Sequence, residues 1–73
     1  MRKSGRRHFD EVHNFIVQFQ LEHGYCPTIR DITNGLGLSS TSYVKFILDH
    51  LAEEGKVDWI VGKSRTIHSI EAP

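Results

Sequence analysis

The sequence predicts a mainly α fold closed by a small β-hairpin: three helices, then two short strands. Three observations predict it. Apolar residues recur at intervals of three and four in three separate stretches. Glycines fall where each stretch ends. Residues 56–70 then turn β-branched and aromatic around a Gly-Lys-Ser turn.

Phe9, Val12, Ile16 and Phe19, with Phe15 beside them, form the stripe of a first amphipathic helix. The pattern starts it near Arg6 or Arg7 and stops it at Gly24, with Asp10 and Glu11 in its early turns. Pro27 pushes Cys26 into an extended shape, so Tyr25-Cys26-Pro27 is a break. Thr28 can cap the next helix, and Asp31, three residues on, is placed to reach back. Ile29, Ile32 and Leu36 are the buried stripe of that short helix, which Gly35 and Gly37 end. Leu38 is a lone apolar residue in the turn. One serine of Ser39-Ser40-Thr41-Ser42 should cap the third helix, whose inward face is Val44, Ile47, Leu48 and Leu51 and which Gly55 stops. Lys56–Val61 and Arg65–Ile70 are the strand candidates, with Ile60 and Ile67 out of phase with their neighbours. The order is helix, short helix, turn, helix, hairpin. Two helices joined by a tight glycine-containing turn make a helix-turn-helix, and the hairpin makes it winged.

Composition narrows the function. A chain of 73 residues is one domain at most, here 1–73 with a core of about 7–70. At this size a fold buries only about 60% of its unfolded surface, leaving little length for a catalytic cleft. Hydrophobic residues make up 38% and charged residues 25%, the balance of a globular chain rather than a disordered one. No apolar run reaches the roughly 18 residues of a membrane span, and the basic start has no apolar segment behind it, so the expected setting is cytoplasmic. Cys26 is the only cysteine and the five histidines are scattered, which argues against a disulfide and a metal site. No paired carboxylates, phosphate-cradling glycine loop or nucleophile-base pair stands out, so neither an enzyme, a cofactor nor a small-molecule substrate is expected.

Formal net charge is zero, from nine cationic and nine acidic residues, but the charges are segregated. Arg2, Lys3, Arg6 and Arg7 precede Phe9, and Lys63 and Arg65 flank the hairpin turn. Asp10, Glu11, Asp49, Glu53 and Glu54 cluster elsewhere. One basic and one acidic face would result, or merely a solvated surface. The start of the third helix carries Ser40, Thr41, Ser42, Tyr43, Lys45 and Phe46 away from the buried stripe. Hydroxyls and a lysine there suit base edges and phosphates, and an aromatic edge suits a thymine methyl. In helix-turn-helix proteins this end enters the major groove of double-stranded DNA. Phe46 reads equally as the rim of a wider buried stripe, or as a base contact or protein interface. Arg30 fits a phosphate, or an ion pair with Glu22 or Asp31. Neutral charge, the acidic run and an exposed Phe46 support the alternative of a winged-helix module that binds protein instead of DNA.

Gly24-Tyr25-Cys26-Pro27-Thr28-Ile29-Arg30-Asp31-Ile32 resembles the G-x-x-P-T-x-R-E-I stretch of LexA repressors. Leu36-Gly37-Leu38-Ser39-Ser40-Thr41-Ser42-Tyr43-Val44 is similar to their Ser-rich approach to the recognition helix. The segment from Leu48 to Val57 looks like H-L-x-x-L-x-x-K-G-x-I, and Arg65-Thr66-Ile67 like the R-A-I of the wing. The resemblance covers about positions 7–70. It implies a winged domain that binds an operator and represses transcription, usually as a dimer, with a recognition helix near 40–54. Groove-facing positions would be Ser40, Ser42, Tyr43, Lys45 and Phe46; backbone-contacting ones would include Arg7, Thr28 and Arg65. Three features depart from the pattern. Asn34-Gly35 replaces better helix formers, which predicts a short or frayed second helix. Phe46 and Ile47 stand where the family often has small and histidine residues. The self-cleaving serine-lysine peptidase domain of LexA is not matched, which implies an excised domain or a stand-alone relative.

Overall fold

A computed structural model describes residues 4–60, 62–63 and 65–70, with side chains from residue 8 onward. Helix α1 runs Ser4–His23, α2 Ile29–Gly35 and α3 Thr41–Glu53, followed by strands β1, Val57–Asp58, and β2, His68–Ser69.

The stripes of the three helices converge on one core. Phe9, Val12 and Ile16 of α1 meet Ile32 of α2, Val44, Ile47, Leu48 and Leu51 of α3, and Val57 and Ile67 of the hairpin. All four expected inward positions of α3 are essentially fully buried. Their spacing at i, i+3, i+4 and i+7 keeps one face inward over two turns. Ile29, Leu36 and Leu38 are half-buried and pack against this cluster. Phe19 is half-buried too, with its ring among those of Phe15, His23 and Tyr25.

The helix ends follow from local chemistry. Thr28 Oγ1 accepts the Asp31 amide at 3.0 Å, and Asp31 Oδ2 accepts the Thr28 amide at 3.1 Å, a complete capping box. The shorter aspartate reaches back as a glutamate would. Ser40 caps α3, its hydroxyl accepting the Tyr43 amide. Gly37 and Gly55, at φ of 68° and 79°, end α2 and α3 in left-handed turns. In each, the amide two beyond the cap donates to a carbonyl in the last turn: Leu38 to Thr33 and Lys56 to Leu51, both at 2.9 Å.

Three expectations need correction. Helix α1 begins at Ser4 rather than at Arg6 or Arg7, since neither arginine nor glycine there halts a helix. Its first turn therefore holds no acid, and Asp10 and Glu11 lie beyond reach of the helix-terminus charge. The strands are two residues each, paired antiparallel as Val57 with Ser69 and Asp58 with His68, instead of the expected six residues each over 56–61 and 65–70. Beyond that pair a side chain replaces the ladder: Thr66 Oγ1 accepts the Ile60 amide at 2.9 Å. Arg65, at φ 58°, also breaks the extended backbone. The out-of-phase isoleucines mark the same disruption, Ile60 facing solvent and Ile67 the core.

Candidate nucleic-acid interface

Helix α2, the start of α3 and the wing enclose an open groove of about 540 Å³. Its polar lining is Thr28, Arg30, Thr41, Ser42, Lys45, Lys63 and Arg65, over a floor of Ile29, Trp59 and Ile67. None of the described residues lining it is acidic. The carboxylates of Asp49, Glu53 and Glu54 follow along and beyond the rest of α3. Arg30, Lys45, Lys63 and Arg65 thus share one groove, while the side chains of Arg2, Lys3, Arg6 and Arg7, the other cations of the expected basic face, lie outside the described residues. The positive end of the α3 dipole opens on the same groove through Thr41 and Ser42.

Of the ten expected site residues, the groove gathers Thr28, Thr41, Ser42, Lys45, Lys63 and Arg65. Thr41, Ser42, Lys45 and Lys63 are exposed. Arg30, exposed and in the lining, joins them. Its neighbour Asp31 pairs with Arg65, not with Arg30. Thr28 and Ser40 lend their side-chain oxygens to helix caps, so each is committed before any ligand arrives. Tyr43 turns toward α1, where its hydroxyl lies 2.8 Å from His8 Nδ1. Phe46 is 51% exposed and is not among the groove residues. It rests edge-on against Phe9 and His50, with ring centroids 6.3 and 4.6 Å apart, and stacks by Tyr43. The rim of a wider stripe and an exposed aromatic are therefore both partly true. Arg7 lies in α1 with its side chain outside the described residues.

Arg65 is the residue whose setting differs most from its expected role. The guanidinium Nη1 donates to the Cys26 carbonyl at 3.1 Å and meets Asp31 Oδ2 at 3.4 Å. Its Cζ sits 4.7 Å from the centre of the Tyr25 ring. A left-handed backbone on a residue with a Cβ costs about 1–2 kcal/mol, so the contacts hold Arg65 in a conformation it would otherwise leave. Asp31, bonded first by the Thr28 amide and hydroxyl and then faced by Arg65, is held below its ordinary value of 3.8. Burial opposes that shift only in part. Sequence reasoning missed Tyr25, Cys26 and Asp31 as partners of the wing. They lie 34 to 40 positions from Arg65, and no periodicity links such distant residues.

The hairpin is tied to α1 as well. The Ser69 amide donates to Gln20 Oε1 at 3.2 Å, and His13 Nε2 lies 3.3 Å from the Ser69 hydroxyl. Among the described residues no three His, Cys, Asp or Glu side chains are grouped to hold a metal. No described helix is long and apolar enough to cross a membrane.

Comparison with known proteins shows the family. The family model of the LexA DNA binding domain matches residues 4–66. The chain is 41% identical over 71 residues to the LexA repressor of Clostridium botulinum strain Hall, covering 97% of this chain and 35% of that protein. It is 40% identical over 63 residues to the LexA repressor of Clostridium novyi, 86% of this chain and 31% of the relative. Over 48 residues it is 46% identical to the LexA repressor of a Roseiflexus species, 66% of this chain and 22% of the relative. The chain thus spans about a third or less of the length of these curated relatives.

Proposed function

Since the chain belongs to the LexA DNA binding domain family and is a DNA-binding module, we propose that it reads an operator through the start of α3 and represses transcription there. The observation that carries this reading is the acid-free groove between α2, α3 and the wing. Lysine and hydroxyl groups on α3 offer donors to base edges, while Arg30 and Lys63 flank them as counter-charges for the phosphates on either side. Thr41 stands at the α3 terminus, where backbone amides and the helix dipole favour a phosphate oxygen. Thr28 and Ser40 fix the helix starts that these groups depend on, and Tyr43 and Phe46 border the site on the α1 side.

In this reading the whole of 1–73 is one non-catalytic domain of bacterial or phage type, at work in the cytoplasm in association with the nucleoid. A single copy makes few base contacts. High affinity accordingly needs two copies on half-sites about one helical turn, roughly 34–36 Å, apart. Sedimentation with and without duplex tests this, and a one-to-one complex of nanomolar affinity overturns it.

Selection of bound duplexes from a random-sequence pool gives the operator. On that duplex, log affinity falls with log salt at a slope of roughly −0.9 per phosphate contact. Lys45→Ala and Ser42→Ala relax base preference at one or two positions. Absence of any DNA affinity at low salt refutes the reading, and unchanged preference in both variants removes α3 from the bases.

A further inference from the structure

We propose that Arg65 is a positioning residue for DNA binding: it pins the wing to the loop before α2 and to α2 itself, and so sets the width of the groove, instead of neutralising a phosphate. The proposal rests on the DNA-binding reading above. Three contacts of different kinds meet on this one guanidinium. It donates to the carbonyl of Cys26, it faces the Asp31 carboxylate, and it lies over the Tyr25 ring. Asp31 is itself immobilised by the capping box of α2, so the carboxylate is a fixed post and not a swinging side chain. Arg65 and Lys63 share the hairpin tip, but among the described residues the Lys63 side chain makes no ion pair or hydrogen bond. The two wing cations therefore divide the work. Lys63 is available to a phosphate, and Arg65 holds the tip that carries it.

The chemistry demands arginine. A planar fork can donate to a carbonyl and a carboxylate while stacking on an aromatic face. An ammonium is a compact point charge, which serves a phosphate well but lacks the flat face and the fork. Asp31 also cancels much of the Arg65 charge, which makes it a poor counter-ion for DNA unless the clasp opens.

The test uses the full chain and a labelled duplex from the pool selection, at fixed salt, with circular dichroism confirming helix content in each variant. Wild-type binding with a salt-dependent slope establishes the underlying reading before any variant is judged. Arg65→Lys, which keeps the charge, loses roughly tenfold in affinity, about 1.4 kcal/mol. Tyr25→Leu loses a similar factor, Tyr25→Phe keeps the ring and the affinity, and Tyr25→Leu with Arg65→Lys together lose no more than either alone. Trp59, the only tryptophan and the root of the wing, reports the change without DNA: its fluorescence shifts in Arg65→Lys and Tyr25→Leu but not in Tyr25→Phe. If Arg65→Lys binds as wild type, or the two losses multiply, Arg65 is an ordinary phosphate contact and the proposal fails. Unchanged Trp59 emission in the free Arg65→Lys protein overturns it equally.

Discussion

Gly35 closes α2, and replacing it with alanine should destabilise the protein even though alanine is the better helix former. Gly35 does not adopt the left-handed conformation, so no backbone strain opposes the change. Helix propensity alone would favour alanine by at most about 1 kcal/mol. Space decides the sign. A Cβ at this position would collide with Cε2 and Cζ of Phe15, the half-buried ring that α1 lays across the end of α2. Overpacking of this kind costs about 1–3 kcal/mol, and rotating the half-buried ring into solvent forfeits part of the roughly 1.5–3 kcal/mol that full burial would give. Subtracting the full propensity gain leaves a net loss of up to roughly 2 kcal/mol, or up to about 15 °C in Tm for a domain of this size. Thermal unfolding followed by far-ultraviolet circular dichroism measures it. The decisive comparison is the Phe15→Ala background, where the obstruction is gone and Gly35→Ala becomes neutral or stabilising by up to about 1 kcal/mol. A higher Tm for Gly35→Ala in the otherwise wild-type chain refutes the reasoning.

Lys63→Ala should weaken binding uniformly across sequences and flatten the salt slope by about 0.9, as the loss of one phosphate contact requires; an unchanged slope in anisotropy titrations denies that contact. Ile47→Ala empties the centre of the core and should cost about 2–5 kcal/mol in urea unfolding, whereas half-exposed Phe46→Ala should cost markedly less. Equal losses would mean that the inward face of α3 has been drawn wrongly. Asp31 supplies a pH signature. Its pKa is lower folded than unfolded, so its contribution is fully present above 3.8 and disappears as pH falls through the lowered folded value. The Tm gap between wild type and Asp31→Asn should accordingly be constant from pH 7 to 5 and narrow as pH falls below 3.8; a gap that does not narrow at all in acid assigns the effect to something other than the ionised carboxylate.

The helices were legible because each is specified by neighbours in sequence. The α3 stripe, the Thr28–Asp31 capping box and the glycine stops all act within a few residues, and all stand where spacing puts them. What was not legible acts at a distance. Gly35 reads as a weak helix former, but it is the gap that admits Phe15, twenty residues upstream. Strand length fails for a related reason: β-branched residues run on past Asp58, while the Thr66 hydroxyl and the turned Arg65 backbone end the ladder. At the site, residue types on α3 were readable from the face they leave exposed. That Thr28 and Ser40 are committed to caps, or that Tyr43 answers to His8, depends on atoms and not on spacing.

No described side chain of the first helix lines the groove, yet the helix is tied to the elements that do. Near one end it meets α3 through His8 and Tyr43, and near the other it meets the return strand through Gln20 and Ser69, across much of the roughly 30 Å that twenty residues span. With the Arg65 tie, the three helices and the wing form a braced truss in which shearing any one member strains the others. A frame stiff before contact surrenders less conformational freedom when a duplex docks, so substitutions on the far side of α1 should tune association with DNA from behind.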